Sequence, residues 1–408
     1  MNIAVIGGGA AGLTAAGSAK GANVVLFEHT EKIGKKIYIT GKGRCNFTNV
    51  CDNQTFLQNV VTNAPFLRSA LSKFTPYDAM ELLNANGCAI KTERGRRAFP
   101  LSDKASDVTK ALRKYAESNG AEIRTNCRIA DITKTADGFV INSLDTSTHT
   151  KQTEKFDAVI MCTGGISYSV TGSDGSSYGF IEKLGHAVIS GKPSLVELYV
   201  KERMSEAEGL TLKNVAVRAD GIKPIFGDMM ITDNGVSGPI ILTLSAYAAR
   251  RDFPYNISVD FKPAITAEEL DTRILRDFGA QLNKQFKNAL DLLLPKSIIP
   301  YIINRSGISS ARQVNSITKS ERRRLAELIK NFGLTVVGNA GLERAVVTNG
   351  GVDVKQIDPK TMQSRITAGL YFGGEVLDLD ALTGGYNFHI ALATGYVAGT
   401  SAAEQTHD

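Results

Sequence analysis

The apolar positions of this chain change period several times along its length, and the changes outline its elements. Residues 2–6, Asn-Ile-Ala-Val-Ile, form a short apolar run that stops at a glycine cluster, which predicts a parallel strand buried on both faces. Residues 10–20 carry small, helix-compatible side chains suited to a helix packed closely on a sheet. Residues 24–27 predict the next strand, which ends at Glu28 and completes a β-α-β unit of about 30 residues. A Gly/Lys-rich loop lies between Thr30 and Asn49. Beyond it a helix is expected over 103–118, after the Phe99-Pro100 break, with strands over 121–125, 138–143 and 158–161. This order extends an α/β sheet of the Rossmann type.

From about Pro193 the texture changes to short strands (195–200, 214–218, 256–261) separated by Gly/Pro/Asp turns, the pattern of a β-rich insertion. Thr266-Ala-Glu-Glu269 and Thr318-Lys-Ser-Glu321 both match the S/T-x-x-E capping box, so helices should start there and residues 263–331 should be mostly helical. Strand-like residues 334–337 rejoin the β-rich piece, and glycine-dense sequence returns from Val346. The expected division is a split domain of residues 1–192 and 346–408, a β-barrel-like insert of 193–262 and 332–345, and a small helical insert of 263–331. A chain of 408 residues exceeds the roughly 250–300 at which one core stops growing, which suits such a division.

Composition narrows the class. The 47 basic and 41 acidic residues leave a net charge of +6, too small and too dispersed to call for nucleic acid, and the Arg322-Arg323-Arg324 run reads as a solvated helix face. Five cysteines (Cys45, Cys51, Cys88, Cys127, Cys162) form no C-x-x-C pair and, with no secretory leader visible, argue against a disulfide framework. No run approaches the roughly 20 apolar residues of a membrane span. A cytoplasmic location is expected, with a small-molecule substrate, no nucleic acid, no membrane and no metal; the oligomeric state is not legible.

The sharpest chemical signal is Gly7-Gly8-Gly9-Ala10-Ala11-Gly12, a G-x-G-x-x-G placed between a strand and a helix as that fingerprint requires. Gly7 allows the tight turn, Gly9 lets backbone approach a pyrophosphate, and Gly12 lets helix and strand pack closely. The helix start that includes Ala10 and Ala11 presents free N–H groups to the diphosphate. Glu28, about 20 residues on, can accept hydrogen bonds from an adenosine ribose and disfavours a 2'-phosphate. FAD and NAD are not separated by this motif.

The later glycine clusters favour FAD. Thr163 and Gly164 follow an apolar run as a second turn toward the dinucleotide. Leu370-Tyr-Phe-Gly-Gly-Glu-Val-Leu-Asp378 ends a strand with acidic groups, and Thr383-Gly-Gly-Tyr-Asn387 precedes a helix-like stretch over 388–398. A flavin needs such a far wall, with a helix N-terminus aimed at the pyrimidine edge of its ring, whereas a nicotinamide domain does not.

Four segments carry a resemblance: Gly34 through Asn49, with Gly-Arg-Cys-Asn-Phe-Thr-Asn at its end, Gly164 through Gly175, Gly235-Val-Ser-Gly-Pro239, and Thr348-Asn-Gly-Gly-Val-Asp353 onward to Gly399. Together they are similar to the BaiN-type, or aminoacetone-oxidase-type, FAD-dependent oxidoreductases over nearly the whole chain. The resemblance implies a glutathione-reductase-like split FAD domain with the two inserts. It places Lys36, Gly41, Arg44, Cys45, Asn46 and Asn49 along the cofactor, and Gly374, Glu375, Asp378, Gly385, Tyr386 and Asn387 around the ribityl and flavin, with substrate meeting the ring under the insert. Arg44 would neutralise diphosphate charge and Asn46 would bond a flavin or ribityl oxygen. The sequence departs from the family pattern at Thr232-Asp-Asn-Gly235, where T-H-x-G is customary, at Ser169, where proline is common, and at His389, where glutamine is usual.

Two of these positions admit a catalytic reading. His389 on the first turn of the last helix is a candidate proton donor or acceptor, against the commoner case of a satisfied structural histidine. Cys45 with Cys51 invites a dithiol reading, against small buried cysteines packing near a cofactor. The function expected is hydride transfer between a small organic substrate or NAD(P)H and flavin, by amine oxidation or by reduction of a conjugated carbonyl compound, with NAD(P)H a transient reductant. The alternatives are an NAD-dependent dehydrogenase and a non-catalytic flavoprotein or RNA-associated module using the basic helical insert.

Overall fold

In the computed structural model, which describes residues 1–404, the strand Asn2–Ile6 stands at the centre of a five-stranded sheet. The strand order is Leu370–Phe372, Ala158–Met161, Asn2–Ile6, Asn23–Phe27, Glu122–Arg124, and every pairing is parallel. The buried apolar run predicted this placement, because a central parallel strand is covered on both faces. The strand Leu370–Phe372 joins the sheet beside Ala158–Met161, so a segment near the end of the chain completes a sheet begun at its start.

The contact pattern divides the chain into two units. One comprises Met1–Ser194 together with the segment from Leu342 onward, of which 405–408 lie outside the described residues. Around its parallel sheet it carries the antiparallel strands Cys127–Thr135, Gly138–Asp145 and Lys151–Phe156, a small sheet of Thr48–Asn49, Arg97–Pro100 and Ile90–Glu93, and the pair Val188–Ser194 with Val347–Val352. The helices Ala10–Ser18 and Tyr386–Glu404 cross so closely that methyl groups on Gly395 and Gly399 would sit 2.3 Å from the Ala11 carbonyl oxygen and 2.2 Å from that of Ala15. Glycine is required there because backbone meets backbone.

The second unit, Leu195–Gly341, contains a closed six-stranded barrel with the order Leu198–Val200, Gly235–Ser237, Ile222–Ile231, Thr211–Ala219, Tyr255–Asp260, Phe332–Asn339. Closure removes the free strand edges that an open sheet of short strands would expose. Between its last two strands come the helices Ala267–Gly279, Ile299–Ser306 and Lys319–Lys330, whose apolar faces (Leu270, Ile274, Phe278; Ile302; Leu325, Ile329) share one core with the barrel. Thr266 and Thr318 close full capping boxes with Glu269 and Glu321, as the sequence pattern requires. Among the described residues no helix is long and apolar enough to cross a membrane.

Candidate cofactor site

The fingerprint turn separates three glycine roles. Gly7 has φ +105°, and a methyl there would lie 2.4 Å from the carbonyl oxygen of Cys162; one on Gly12 would lie 1.8 Å from that of Gly7. Both positions are closed by protein. Gly9 is different, because a methyl there would meet nothing within 4 Å, and as N-cap it supplies no side-chain hydrogen bond to the helix Ala10–Ser18. The helix start therefore has no side-chain cap and has open space beside its N-cap residue, features that suit a diphosphate. Glu28 is buried and accepts from the Gly8 N–H at 2.9 Å and the Thr30 N–H at 2.8 Å, which pins its carboxylate beside the turn.

The C-terminal glycine turn comes to the same place. The Gly373 N–H donates to the Met161 carbonyl at 3.0 Å, and the Gly374 N–H donates to Thr394 Oγ1 at 2.8 Å. A methyl on Gly374 would lie 2.8 Å from Cβ of Ala11. The next residue, Glu375, is held by Lys36 Nζ at 2.7 and 3.0 Å, Ser167 Oγ at 2.9 Å and the Thr348 N–H at 2.9 Å. Burial alone would raise the Glu375 carboxyl, but the Lys36 charge and these hydrogen bonds outweigh it and hold the group below the ordinary carboxylate range. Thr348 Oγ1 accepts from the N–H groups of Ile166 and Ser167, so four separate segments are tied at one ion pair.

A third part of the site lies at the start of the helix Tyr386–Glu404. A methyl on Gly385 would lie 2.6 Å from the Thr48 carbonyl and 2.9 Å from Asn46 Oδ1, so this turn is pressed against residues 46–48. Asn46 Oδ1 and Thr48 Oγ1 are buried and have no hydrogen-bond partner. Orphaned polar atoms of this kind ordinarily have a partner supplied by water or a ligand. Asn49 Nδ2 donates to the carbonyls of Gly95 at 3.0 Å and Gly384 at 3.2 Å and fixes the same turn from the other side. Tyr178, absent from the expected set, adds another buried unpartnered hydroxyl, and burial together with the charges of Glu375 and Asp378 pushes its phenol well up.

The remaining expected residues have other places. Thr163 Oγ1 pairs with Ser177 Oγ at 2.7 Å, and Gly164 has φ +75° with Ser173 Oγ 2.6 Å from where a methyl would stand. Gly41, at φ +59°, leaves 3.1 Å between a methyl and the Asn46 nitrogen. Asp378 is buried and accepts from Asn63 Nδ2 at 3.2 Å through its carboxylate. Arg44 does not stand free for a phosphate: its guanidinium pairs with Glu93, donates to Asp103 at 2.9 and 2.6 Å, and lies 4.4 Å over the Phe99 ring. Asn387 spends its amide on the Ala381 backbone, accepting at 2.8 Å and donating at 2.6 Å.

His389 is fully buried between Phe56 and Phe74, with ring centroids 5.2 and 5.9 Å away, and its Nε2 faces the Phe74 carbonyl at 3.2 Å. Burial pulls its imidazole down to about 4. Cys45 and Cys51 are both free and buried, and burial raises both thiols, Cys45 well above the ordinary range, which disfavours the thiolate that redox chemistry needs. Tyr386 packs edge-on against Phe56 at 5.0 Å.

Besides Thr48 and Tyr178, the sequence did not single out Ser167 and Thr348. Both lie inside segments already marked as family-like, yet a serine and a threonine in glycine-rich sequence give no sign of which carboxylate or N–H they will meet. Taken together, a helix start without a side-chain cap, a carboxylate pinned beside it and a cluster of orphaned polar atoms at a second helix start fit a dinucleotide with a ring at one end.

Comparison with known proteins agrees. The family model described as HI0933-like protein Rossmann domain matches residues 1–401. A protein of Clostridium scindens named 3-dehydro-bile acid delta(4,6)-reductase is 32% identical, covering 99% of each chain. A Haemophilus influenzae protein named ribosomal RNA dihydrouridine synthase is 31% identical, covering 98% of each. Among solved structures, the 3-ketosteroid-delta4-(5alpha)-dehydrogenase of Rhodococcus jostii RHA1 in complex with 4-androstene-3,17-dione superposes with a TM-score of 0.53 at 14% identity, covering 99% of this chain and 96% of that one, which is a likeness of fold. On the extent of the family match and of the two relatives, the chain belongs to the HI0933-like Rossmann family, the BaiN-type FAD-dependent oxidoreductases.

Proposed function

We propose that this chain holds FAD across the joined ends of its first unit and uses it to reduce a ring carbon–carbon double bond conjugated with a carbonyl. The observation that carries the reading is the pair of full-length relatives, one named a bile-acid reductase and the other a dihydrouridine synthase. Both names denote addition of hydrogen to a ring double bond, and neither denotes amine oxidation.

When bound, FAD supplies the two-electron carrier between a reduced nicotinamide and the substrate, so that one hydride and one proton are added across the double bond. The chain supplies the rest. The N–H groups after Gly9 receive the diphosphate, and Glu28 meets the adenosine ribose. Lys36 and Glu375 brace the wall between the two glycine turns. Asn46 and Thr48, with the start of the helix Tyr386–Glu404, take the polar edge of the ring, where the helix N-terminus favours negative charge. Arg44 and Asn387 stabilise the loops that carry these groups, and His389 has a packing role with no proton to deliver at neutral pH.

A second dinucleotide fingerprint is absent from the sequence, so NADH or NADPH would visit the same flavin transiently. The test is anaerobic. Purified protein should be yellow, one reduced nicotinamide should bleach the flavin band, and a cyclic enone or a uridine-containing RNA should restore it. Protein without bindable flavin, or reduced flavin reoxidised by none of these acceptors while amines reduce the oxidised form, would overturn the proposal.

A further inference from the structure

We propose that the helical insert of the second unit carries a docking cleft for single-stranded RNA. The inference rests on the reductive reading only in that such a strand would bring a reducible base to the protein.

The first observation is where the charge lies. Residues 263–331 contain twelve basic and seven acidic side chains, so five of the chain's six excess positive charges fall in this one segment. The fold then sorts these cations. Arg322 is buried against Asp271 at 2.6 Å, Arg312 pairs with Glu321 at 2.6 Å, Lys330 pairs with Asp260 at 2.8 Å, and Arg273 and Arg276 share Asp277. Lys284, Lys287, Lys296, Lys319, Arg323 and Arg324 are exposed and carry no ion pair among the described residues.

The second observation is a concavity. An open cleft of about 830 Å³ runs along the helix Ile299–Ser306, and two of the unpaired cations, Lys287 and Lys296, line it. Ile299 and Ile303 contribute apolar surface, and the amides of Asn288 and Asn304 and the hydroxyls of Ser309 and Ser310 complete the wall. Asp291 is the single acidic group there. The Lys287 N–H donates to the Ser310 carbonyl at 3.1 Å, which ties the two walls together.

Two unpaired cations beside amides and hydroxyls suit a sugar–phosphate chain: the ammonium groups meet phosphates, and the neutral donors and acceptors meet 2'-hydroxyls and base edges. The trough is open, which suits a polymer passing through it. A flat anionic lipid surface would not reach its floor, and an acidic peptide, whose backbone can also pair with the hydroxyls and amides, is the competing occupant that displacement by polyglutamate distinguishes.

The test is fluorescence anisotropy of a labelled 20-nucleotide single-stranded RNA titrated with full-length, flavin-loaded protein over a salt series. Lys287→Glu with Lys296→Glu should weaken binding by about tenfold or more and flatten the salt dependence by about 1.4 in logarithmic slope, the value for two phosphate contacts on a single strand. Arg323→Glu with Arg324→Glu should weaken it less than about threefold by long-range charge alone. Flavin content and melting temperature certify each variant as folded. The proposal fails if the unaltered protein does not bind the strand at about 0.1 M salt. It also fails if the two double variants lose affinity equally, or if polyglutamate displaces the RNA at equal charge concentration. Lost RNA binding with an intact flavin spectrum counts against the cleft alone, whereas missing flavin with intact RNA binding counts against the cofactor reading alone.

Discussion

The helix Ala10–Ser18 begins with no side-chain cap at all, whereas the insert helices Ala267–Gly279 and Lys319–Lys330 each begin with a closed capping box. All three have the same need, because the first N–H groups of a helix have no partner within it. The insert helices satisfy theirs from their own sequence, and their amphipathic faces bury one side only. The helix Ala10–Ser18 is buried along nearly its whole length, is made of small residues, and has open space beside Gly9. Lack of a side-chain cap alone does not mark a site, because Ala105–Ser118 and Ile299–Ser306 also begin without one; what sets the start of Ala10–Ser18 apart is the open space beside Gly9 in a dinucleotide fingerprint.

The hardest way to break this contrast is to fill the contacts that hold the uncapped helix in place. Gly12→Ala puts a methyl 1.8 Å from the Gly7 carbonyl oxygen, and Gly395→Ala puts one 2.3 Å from that of Ala11. Backbone cannot swing aside as a flexible side chain can. Each change should cost about 3 kcal/mol, the upper end of overpacking penalties, read by urea denaturation of the flavin-loaded protein. A loss below about 1 kcal/mol at Gly395 would mean that the two helices do not meet as described, and one at Gly12 that the helix does not sit against the Gly7 turn.

The partner helix Tyr386–Glu404 can be probed by acid. His389 sits neutral in its core with its imidazole held down to about 4, against an ordinary value near 6.5 for the unfolded chain. Between those values the unfolded state binds a proton that the native state does not, so stability falls as pH drops from about 6.5 toward 4. The loss should reach about 3 kcal/mol, and His389→Gln should flatten that limb while leaving turnover at neutral pH unchanged. A variant whose acid limb matches the unaltered protein would remove the burial argument. One whose neutral turnover collapses would restore a catalytic histidine.

How much of this was legible depends on the kind of signal. Periodic and capping signals transferred directly: the strand at 2–6, the turn that follows it with Glu28 bonded to its Gly8 N–H, and both capping boxes. The strands Cys127–Thr135 and Lys151–Phe156 were not read, because alternation needs a buried face and Phe156 is the one buried residue of the latter. The motif around residues 34–49 marked a candidate site without saying which way each side chain turns. Arg44 went to Glu93 and Asp103, two carboxylates that pair with it directly, and nothing in Gly-Arg-Cys-Asn announces residues 93 and 103. Asn387 illustrates the same gap on a shorter scale, its amide taken by a backbone six residues away.

Gly9→Ala sharpens the contrast from the ligand side. Its methyl would touch no protein atom within 4 Å, so the apoprotein should melt as before, while the space it enters is the one assigned to the diphosphate. FAD affinity should fall about tenfold, a difference of about 1.4 kcal/mol, measured by flavin titration of deflavinated protein. Unchanged affinity would show that the uncapped start is simply solvated, and the reading of it as a ligand-dependent helix terminus would be lost.

The smallest effect tests the other half. Thr318→Ala opens the capping box in which Thr318 accepts from the Glu321 N–H and Glu321 answers to the Thr318 N–H at 2.8 Å. About 1 kcal/mol of stability should be lost, because the helix N-terminus then relies on water. Glu321 is held down to about 2 by the Thr318 backbone and by Arg312, so the box contributes fully above about pH 4.5 and is lost as pH falls toward 2; the variant's deficit should shrink on acidification. Since the insert helices satisfy themselves, flavin content and flavin affinity should not move, and saturating FAD should not rescue the deficit. If FAD does rescue it, the capped helices also depend on the cofactor, and the distinction between a helix start that waits for a ligand and one that closes on itself does not hold in this protein.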